Sequence, residues 1–393
     1  MFSTDKKVIL RKGAIKEFKG NMYKIKVLHI IKSLGRGGAE TLIPETIKLH
    51  DKKKYDFHII YFLPWKNQMV ETIEKAGGKV ICFPASNNIK LLLQYPKVID
   101  YCTRNKINLI HCHLPWSGFL GRIVYSKTKI PVVYTEHNIQ ERYHFATKLL
   151  NKYSFNFQSL ALGVSEDVSQ SILKNIKPKV SVYTLLNGVN TDHYKQNRQL
   201  RNKIRHQYNI PQNALVIGNI AVFREQKALP VWVKAFQKTL KKNPDIYGLL
   251  VGAGPKEEEI KDLVATLGLQ NRLILPGLQT NTLDYFSAMD IFMMSSEFEG
   301  LPIALLEAMS SGCAIVSTKA GGVVEAIRDE RDGLLCTVGD WECLADKCSR
   351  LIEDEVKRTQ FSHASRNRVI DSFSLKVMVE KLEHNYKDLA QHS

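Results

Sequence analysis

Residues 296–309 read Ser296-Glu297-Phe298-Glu299-Gly300-Leu301-Pro302-Ile303-Ala304-Leu305-Leu306-Glu307-Ala308-Met309, and this segment gives the strongest indication of the fold. It follows the apolar segment Ile291–Ser295, which has the composition of a buried strand. Proline suits the first position of a helix, where no backbone N–H is needed, so the spacing predicts a helix that begins at Pro302. The pattern is therefore a strand, a glycine turn and a helix. Glu299 lies in the turn and Glu307 lies inside the helix.

The chemistry of this turn favours a ligand that is both anionic and rich in hydroxyl groups. Gly300 allows a ligand to approach the backbone closely. The free N–H groups and positive dipole end of the following helix suit a phosphate. Two flanking carboxylates do not suit a simple phosphate pocket. They do suit a nucleotide sugar, whose hydroxyls need acceptors while its diphosphate needs donors.

Outward from this stretch, short apolar runs alternate with amphipathic segments along the whole chain. Continuous apolar runs predict strands buried on both faces, and therefore parallel sheets. We expect an α/β protein with two doubly wound, Rossmann-like domains that face a cleft. The predicted strands are Val27–Ile31, His58–Phe62, Lys79–Phe83, Leu109–His113, Val132–Thr135, Leu160–Val164, Val180–Leu185, Val216–Val222, Gly248–Val251, Leu273–Leu275, Ile291–Met294, Ala314–Ser317 and Gly333–Leu335.

With Glu299 and Glu307 as its E-x7-E motif, the sequence resembles the retaining glycosyltransferases of family 4, from about Lys24 to about Leu389. The resemblance implies the GT-B fold, with a final helix that crosses back to the first domain. The predicted organisation is an N-terminal extension at 1–21, an acceptor-side domain at 22–190, a linker at 191–202, a nucleotide-sugar-binding domain at 203–372 and the crossing helix at 373–393.

The resemblance also implies roles for individual residues. Glu299 would hold the donor sugar, Glu307 the ribose, and His137 would lie beside the reacting carbon. Arg224 and Lys227 would bind the diphosphate and stabilise the leaving group. Many relatives have an arginine at the position of Val222, so Arg224 is the expected substitute for it. The remaining donor contacts are predicted at Gly37, Gly38, Gly252, Gly254, Gly300, Leu301 and Gly322.

No metal and no cofactor are predicted. His111 and His113 lie two residues apart on one strand and share a face, but the sequence shows no third ligand of a suitable type. The donor substrate is predicted to be a nucleoside diphosphate sugar, UDP- or GDP-linked. The acceptor is expected to be a glycan or a lipid-linked molecule.

Charge is unevenly distributed along the chain. The net charge is +17, and residues 1–196 hold 31 basic and 14 acidic residues, whereas residues 197–393 hold 25 of each. The first half could therefore meet an anionic membrane surface or a lipid diphosphate, or its lysines could simply be solvated. Nucleic acid is not expected, because no recognised binding motif accompanies the charge.

The segment Gln140–Phe157 mixes basic residues with aromatic and aliphatic ones. It could form an amphipathic helix on a membrane, or a helix that packs into the core and exposes a basic face. It could also contribute to acceptor recognition. The sequence leaves these alternatives open.

Seven cysteines without a C-x2-C pair predict reduced thiols and a cytoplasmic protein. Such a protein could be free in the cytoplasm or peripheral at the inner face of the membrane. Cys343 and Cys348 are expected to share a helix. The predicted function is a retaining glycosyltransferase in glycan, polysaccharide or glycolipid biosynthesis. The alternatives are a non-hydrolysing sugar-nucleotide epimerase and a non-catalytic protein that binds nucleic acid or a membrane surface.

Overall fold

In the computed structural model, which describes residues 24–391, each half of the chain contains one parallel β-sheet. Each predicted apolar run overlaps one of the strands, and the two-domain α/β prediction is confirmed. The first sheet consists of β1 (Ile25–Ile30), β2 (Tyr55–Tyr61), β3 (Lys79–Cys82), β4 (Leu109–His113), β5 (Val132–Glu136), β6 (Leu160–Gly163) and β7 (Ser181–Thr184). The second consists of β8 (Val216–Ile220), β9 (Tyr247–Val251), β10 (Leu273–Ile274), β11 (Ile291–Met294), β12 (Ala314–Thr318) and β13 (Leu334–Cys336).

Helices connect the strands, because a parallel pair needs a connection that crosses back along the sheet. Short 3-10 helices also occur at Gln140–Arg142 and Glu225–Lys227. The helices are α1 (Gly38–Leu49), α2 (Val70–Ala76), α3 (Asn88–Leu92), α4 (Tyr95–Asn105), α5 (Pro115–Thr128), α6 (Phe145–Ser154), α7 (Glu166–Ile176), α8 (Arg198–Gln207), α9 (Leu229–Lys242), α10 (Glu257–Thr266), α11 (Thr282–Ala288), α12 (Ile303–Ser310), α13 (Val323–Ala326), α14 (Trp341–Glu353), α15 (Glu355–Phe373) and α16 (Leu375–Gln391).

One predicted boundary moves by a residue. Helix α12 begins at Ile303, and Pro302 is its N-cap with extended backbone angles of φ −74° and ψ 121°. The ring of proline is compatible with both positions, so the sequence does not distinguish them.

Strand order reverses near the middle of each sheet. The first sheet has the order β3-β2-β1-β4-β5-β6-β7, and the second has the order β10-β9-β8-β11-β12-β13. Loops that follow the two strands at such a reversal diverge to opposite faces and leave a crevice between them. The two crevices lie after β1 and β4 and after β8 and β11, and they determine where the candidate site lies.

The last helix packs against the first sheet. Leu382 and Tyr386 of α16 are buried in the apolar core on one face of that sheet. His50 Nδ1 and Glu383 Oε1 lie 3.0 Å apart, which adds a polar contact between α1's end and α16. The predicted extension at 1–21 lies outside the described residues.

One cysteine prediction is wrong. Cys336, at the end of β13, forms a disulfide with Cys343 in the first turn of α14, with Cα atoms 5.9 Å apart. The strand-to-helix turn reverses the chain and brings together two residues that are seven apart, a proximity that cysteine spacing alone does not reveal. Cys343 and Cys348 do share α14, and the five other cysteines are free. Within residues 24–391, no helix is both long and apolar enough to cross a bilayer.

Candidate active site

The second sheet presents a buried ion pair at its strand-order reversal. Lys227 follows β8, and Glu299 follows the neighbouring strand β11. Lys227 Nζ donates to Glu299 Oε1 at 2.5 Å, and Ser296 Oγ donates to the same oxygen at 2.6 Å. The Glu299 side chain is only 7% exposed, so the lysine offsets the cost of burying its charge. The fold thus brings together two predicted site residues from separate loops.

The second carboxylate of the motif has a different environment. Glu307 lies in α12, and burial is the main cause that raises its pKa to about 7. The negative charge of Glu45 also raises this pKa, whereas a hydrogen bond from Tyr194 lowers it. Both protonation states of Glu307 are therefore populated near neutral pH.

Two helix N-termini face each other across the cleft. Neither α1, whose N-cap is Gly37, nor α12 has a side-chain cap. A Cβ atom added to Gly38 would lie 3.6 Å from Cγ1 of Ile303, so the first turns of both helices are close. The positive dipole end and N–H groups of α12 create a region that favours an anion. At the start of α1 the carboxylate of Glu40 already accepts a backbone hydrogen bond.

Glycines allow the loops of the two domains to approach each other. A Cβ on Gly300 would lie 2.7 Å from the carbonyl oxygen of His137, and one on Gly322 would lie 3.1 Å from Cβ of Ser165, both in the first domain. Within the second domain, Gly322 packs directly against the carbonyl of Gly300. The buried Leu301 accepts a hydrogen bond from Asn187 Nδ2 at 3.0 Å through its carbonyl. These residues join the two halves of the site, and their predicted donor contacts stay predictions. Gly252 and Gly254, in the loop after β9, lie against Ala221 and Phe223.

His137 lies directly after β5, on the opposite side of the cleft from the ion pair. Its Nε2 is buried and has no hydrogen-bond partner among the described residues. Burial lowers the pKa of His137 to about 4, so the imidazole is neutral at physiological pH. An unpartnered, neutral Nε2 in a cleft can accept a hydrogen bond from a ligand or donate one to it, depending on the tautomer.

The buried carboxylate of Glu136 positions His137. This residue was not selected from the sequence. Glu136 accepts hydrogen bonds from the backbone N–H of His137 at 2.9 Å, from Tyr134 at 2.6 Å and from Tyr143 at 2.5 Å. Gln140 Nε2 donates to it at 2.9 Å. Burial raises the pKa of Glu136, while these donors act to lower it. The network holds the loop after β5 in one conformation.

Three further imidazoles line the cavity next to His137. His29, on β1, contacts His113 across the strand-order reversal, with Nδ1 and Nε2 2.9 Å apart. His111 hydrogen-bonds Tyr386 and Thr135, each at 2.6 Å. Burial lowers the pKa of all three, in the case of His29 to about 3.

This cluster corrects part of the argument about metals. Sequence reasoning found no third ligand beside His111 and His113, but one nitrogen of each of these and of His29 lies within 4.8 Å of the others. His29 was missed because it is 82 residues from His111 along the chain. Its place near the end of a strand was the available signal, since the ends of parallel strands meet at one edge. The prediction that no metal is required stays a prediction.

Charged and aromatic contacts also cross the cleft. Arg224 is exposed, and its charge opposes the burial that raises the pKa of Glu40 on α1. Glu325 Oε1 accepts the backbone N–H of Glu166 at 2.8 Å, at the start of α7. The guanidinium of Arg142 lies 4.6 Å from the centre of the Phe298 ring, a cation–π contact.

Two family models divide the chain between them. Residues 36–193 match the model "Glycosyltransferase Family 4", and residues 201–368 match "Glycosyl transferases group 1". The chain is 26% identical over 369 residues to the N-acetyl-alpha-D-glucosaminyl L-malate synthase of Bacillus anthracis, covering 90% of this chain and 94% of that protein. It is 23% identical to the UDP-Gal:alpha-D-GlcNAc-diphosphoundecaprenol alpha-1,3-galactosyltransferase of Escherichia coli, covering 93% and 97%.

The architecture also resembles solved structures. HepE of Anabaena, in complex with UDP and glucose, superposes with a TM-score of 0.83 at 21% identity, covering 93% of this chain and all of HepE. That likeness is evidence about the fold, and it agrees with the two facing α/β domains described above. With a Family 4 domain in its first half and a group 1 domain in its second, the chain belongs to the family 4 glycosyltransferases of the GT-B fold.

Proposed function

We propose that this protein transfers a sugar from a nucleoside diphosphate sugar to a hydroxyl acceptor with retention of anomeric configuration. The observation that carries the proposal is the Lys227–Glu299 pair, which lies at a strand-order reversal beside an uncapped helix start. The arrangement supplies cations and N–H groups for a diphosphate and a carboxylate for sugar hydroxyls within one loop cluster.

The donor would be held on the second domain. Its diphosphate would lie against Lys227, Arg224 and the first turn of α12, and it would compete with Glu299 for the lysine. Glu299 would then accept hydrogen bonds from the sugar hydroxyls, while Glu307 would accept them from the ribose. HepE was solved in complex with UDP and glucose, and the name of the E. coli relative includes UDP-Gal, so UDP is the nucleotide to test first.

Transfer would proceed on one face of the sugar. The bond between the anomeric carbon and the leaving phosphate oxygen breaks, and the acceptor oxygen bonds to the same face of that carbon. The acceptor proton moves to the departing phosphate oxygen. Lys227 and Arg224 would stabilise the negative charge that develops on the nucleotide. His137, neutral and across the cleft, would hydrogen-bond the donor sugar or orient the acceptor.

The acceptor is proposed to be a glycan or a lipid-linked glycan. The E. coli relative is named for a diphosphoundecaprenol-linked acceptor, and the basic first domain would favour such a diphosphate. Polysaccharide or glycolipid biosynthesis is the corresponding pathway class. An epimerase would need no acceptor, and this difference distinguishes the glycosyltransferase hypothesis from the epimerase hypothesis.

The test begins with a panel of nucleotide sugars and thermal unfolding of the purified protein. A ligand that binds the folded state raises the melting temperature, so a positive result names the donor. Glu307→Ala should abolish that shift while remaining folded. Isotope-labelled donor, incubated with and without glycan acceptors, then distinguishes transfer from epimerisation.

Glu299→Gln tests the ion pair with a matched control two residues away. Turnover should fall by about 10² because the neutral amide no longer accepts as strongly from the sugar and no longer pairs with Lys227. Glu297→Gln, an exposed neighbour, should leave the rate within about twofold of wild type. Equal rates for the two variants, or stabilisation by no nucleotide sugar, would overturn the proposed function.

A further inference from the structure

Helix α6 (Phe145–Ser154) presents its apolar side chains to the outside of the protein. Phe145 and Tyr153 are each 73% exposed, while Leu149 and Leu150 are 42% and 43% exposed. Phe157, just after the helix, is 51% exposed. The buried member of the helix is a polar residue, Asn151. A surface helix of a globular protein normally has the opposite arrangement.

A buried polar network fixes this orientation. Asn151 Oδ1 accepts a hydrogen bond from Arg122 Nη1 at 2.9 Å, and its Nδ2 donates to Gln140 Oε1 at 2.9 Å. Gln140 in turn donates to Glu136, which holds the loop of His137. Turning the helix over would leave the buried guanidinium without these partners, at a substantial cost in free energy. The apolar residues therefore face solvent, because the opposite face of the helix carries Asn151, which hydrogen-bonds to Arg122 and Gln140 inside the protein.

Exposed lysines lie on α6 and on the neighbouring segment of the chain. Residues 143–165 contain no acidic residue. Lys148 and Lys152 are exposed on α6 itself. The last turn of the adjacent helix α7 and the residues that follow it add three more exposed lysines. The N–H of Lys179 donates to Asn156 Oδ1 at 2.7 Å, which connects the two segments. Within residues 24–391 none of these ammonium groups has a carboxylate within 4 Å; the five are Lys148, Lys152, Lys174, Lys177 and Lys179.

We propose that α6 and Phe157 dock on a bilayer surface that contains anionic lipid. Aromatic and aliphatic side chains would enter the boundary between headgroups and acyl chains, and the surrounding lysines would contact the headgroup phosphates. The rim is predominantly basic, although it also includes Glu141 near Lys174. An apolar face with such a rim matches the surface of an anionic bilayer, because anionic headgroups surround an apolar interior. This inference does not depend on the proposed glycosyl transfer.

The first test measures flotation of the full chain with two kinds of vesicle, phosphatidylcholine alone and phosphatidylcholine mixed with phosphatidylglycerol. The wild type should float with the mixed vesicles. Leu149→Gln combined with Leu150→Gln should weaken that binding at least about tenfold, because less apolar area enters the bilayer. The matched control is Leu278→Gln with Val356→Gln, two exposed apolar residues of the second domain, and it should bind like wild type.

The second test removes charge. Lys148→Gln combined with Lys152→Gln should weaken binding to mixed vesicles roughly 30-fold. This value follows because each lysine near an anionic surface contributes about 1 kcal/mol to binding. Lys234→Gln with Lys241→Gln, exposed lysines of the second domain, should have little effect. All of these positions are exposed, so unfolding midpoints should stay unchanged.

Three outcomes would overturn the proposal. The first is equal binding by wild type and both α6 variants. The second is binding that does not depend on phosphatidylglycerol. The third is no vesicle binding together with a dimer in sedimentation that Leu149→Gln and Leu150→Gln dissociate, which would assign the face to a second copy of the chain.

Discussion

The two sheet edges that face each other across the cleft differ in charge. The edge of the second domain carries the Lys227–Glu299 ion pair, with Arg224 nearby. The edge of the first domain carries His137 and three other imidazoles, and burial lowers the pKa of each below its usual value. One edge therefore offers full charges to a ligand, and the other offers neutral hydrogen-bonding groups.

This difference indicates a division of labour within the proposed reaction. A diphosphate needs cations, so it belongs at the charged edge. A reacting carbon and an acceptor hydroxyl need orientation without a cation that would attract the leaving group away from its site, so they belong beside the imidazoles. Substitutions, pH and chelation test that division, and the most severe losses are expected at Lys227 and His137.

Lys227→Met should give the largest loss. Without its main cation, the charge on the leaving nucleotide is not stabilised, and kcat/KM should fall by about 10³. Steady-state kinetics with the identified donor measures this. Lys261→Met, an exposed lysine of α10 in the same domain, is the control and should be close to wild type. Retention of a third or more of the activity by Lys227→Met would show that the charged edge does not hold the donor.

His137→Ala should lower kcat by about 10² and leave the donor KM within about threefold, because an orienting hydrogen bond is lost at the reacting centre. His206→Ala, an exposed histidine on α8, should have no effect. A large rise in donor KM at unchanged kcat would instead show that His137 binds the donor and does not orient the reacting groups.

The two edges should respond to pH in opposite directions. The folded-state pKa of Glu307 is raised to about 7, so its contribution to stability is present below its unfolded pKa and is lost as pH rises through 7. The folded-state pKa of His137 is lowered to about 4, so its contribution is present above 6.5 and is lost as pH falls through 4. Each change should amount to at most about 3 kcal/mol, because a shift of one pKa unit corresponds to about 1.4 kcal/mol.

Urea unfolding midpoints between pH 4.5 and 7.5 measure this difference. Relative to wild type, Glu307→Gln should gain stability as pH rises, whereas His137→Asn should gain stability as pH falls. If both variants follow the pH curve of the wild type, these two side chains do not titrate as proposed.

Arg224→Ala should cost about tenfold in kcat/KM, less than Lys227→Met, because the arginine is exposed and its charge is screened by solvent. Arg331→Ala, another exposed arginine of the second domain, is the matched control. A loss as large as that of Lys227→Met would show that Arg224 replaces the arginine that relatives have at the position of Val222.

Chelation should have the smallest effect. Because Lys227, Arg224 and a helix start can neutralise the diphosphate, EDTA should change the rate less than about twofold. The result that would contradict this is a large loss that Zn²⁺ or Mn²⁺ restores in wild type but not in His29→Gln. Such a result would show that the imidazoles of the first domain bind a metal ion. Both sheet edges would then carry charge, and the difference between them would disappear.

Much of the fold could be predicted from the amino-acid sequence. Apolar runs such as Leu109–His113 and Ile291–Met294 are strands at the predicted positions, because a strand buried on both faces needs little besides continuous apolar residues. The stretch at 296–309 correctly predicted a turn and a helix. The disulfide between Cys336 and Cys343 was not predicted, since it depends on how tightly the chain turns between β13 and α14.

The site was only partly readable. Glu299 and Lys227 were selected from local motifs, but their separation of 72 residues says nothing about a 2.5 Å contact. His29 and Glu136 were missed. Their positions near the ends of β1 and β5 were the available signal, but position alone does not distinguish them from other residues of a strand. The amphipathic pattern of residues 140–157 left open which face is buried, and the Arg122–Asn151 contact decides it.

The two parallel α/β domains, the family and the charged residues could be predicted from the amino-acid sequence, because these depend on local composition and spacing. Three features arise only in the folded protein: the pairing of Lys227 with Glu299, the meeting of four imidazoles at one edge and the outward face of α6. Those features depend on strand order and on buried hydrogen bonds between segments far apart in the chain. Their energies arise only when folding brings the partners together and removes water from between them.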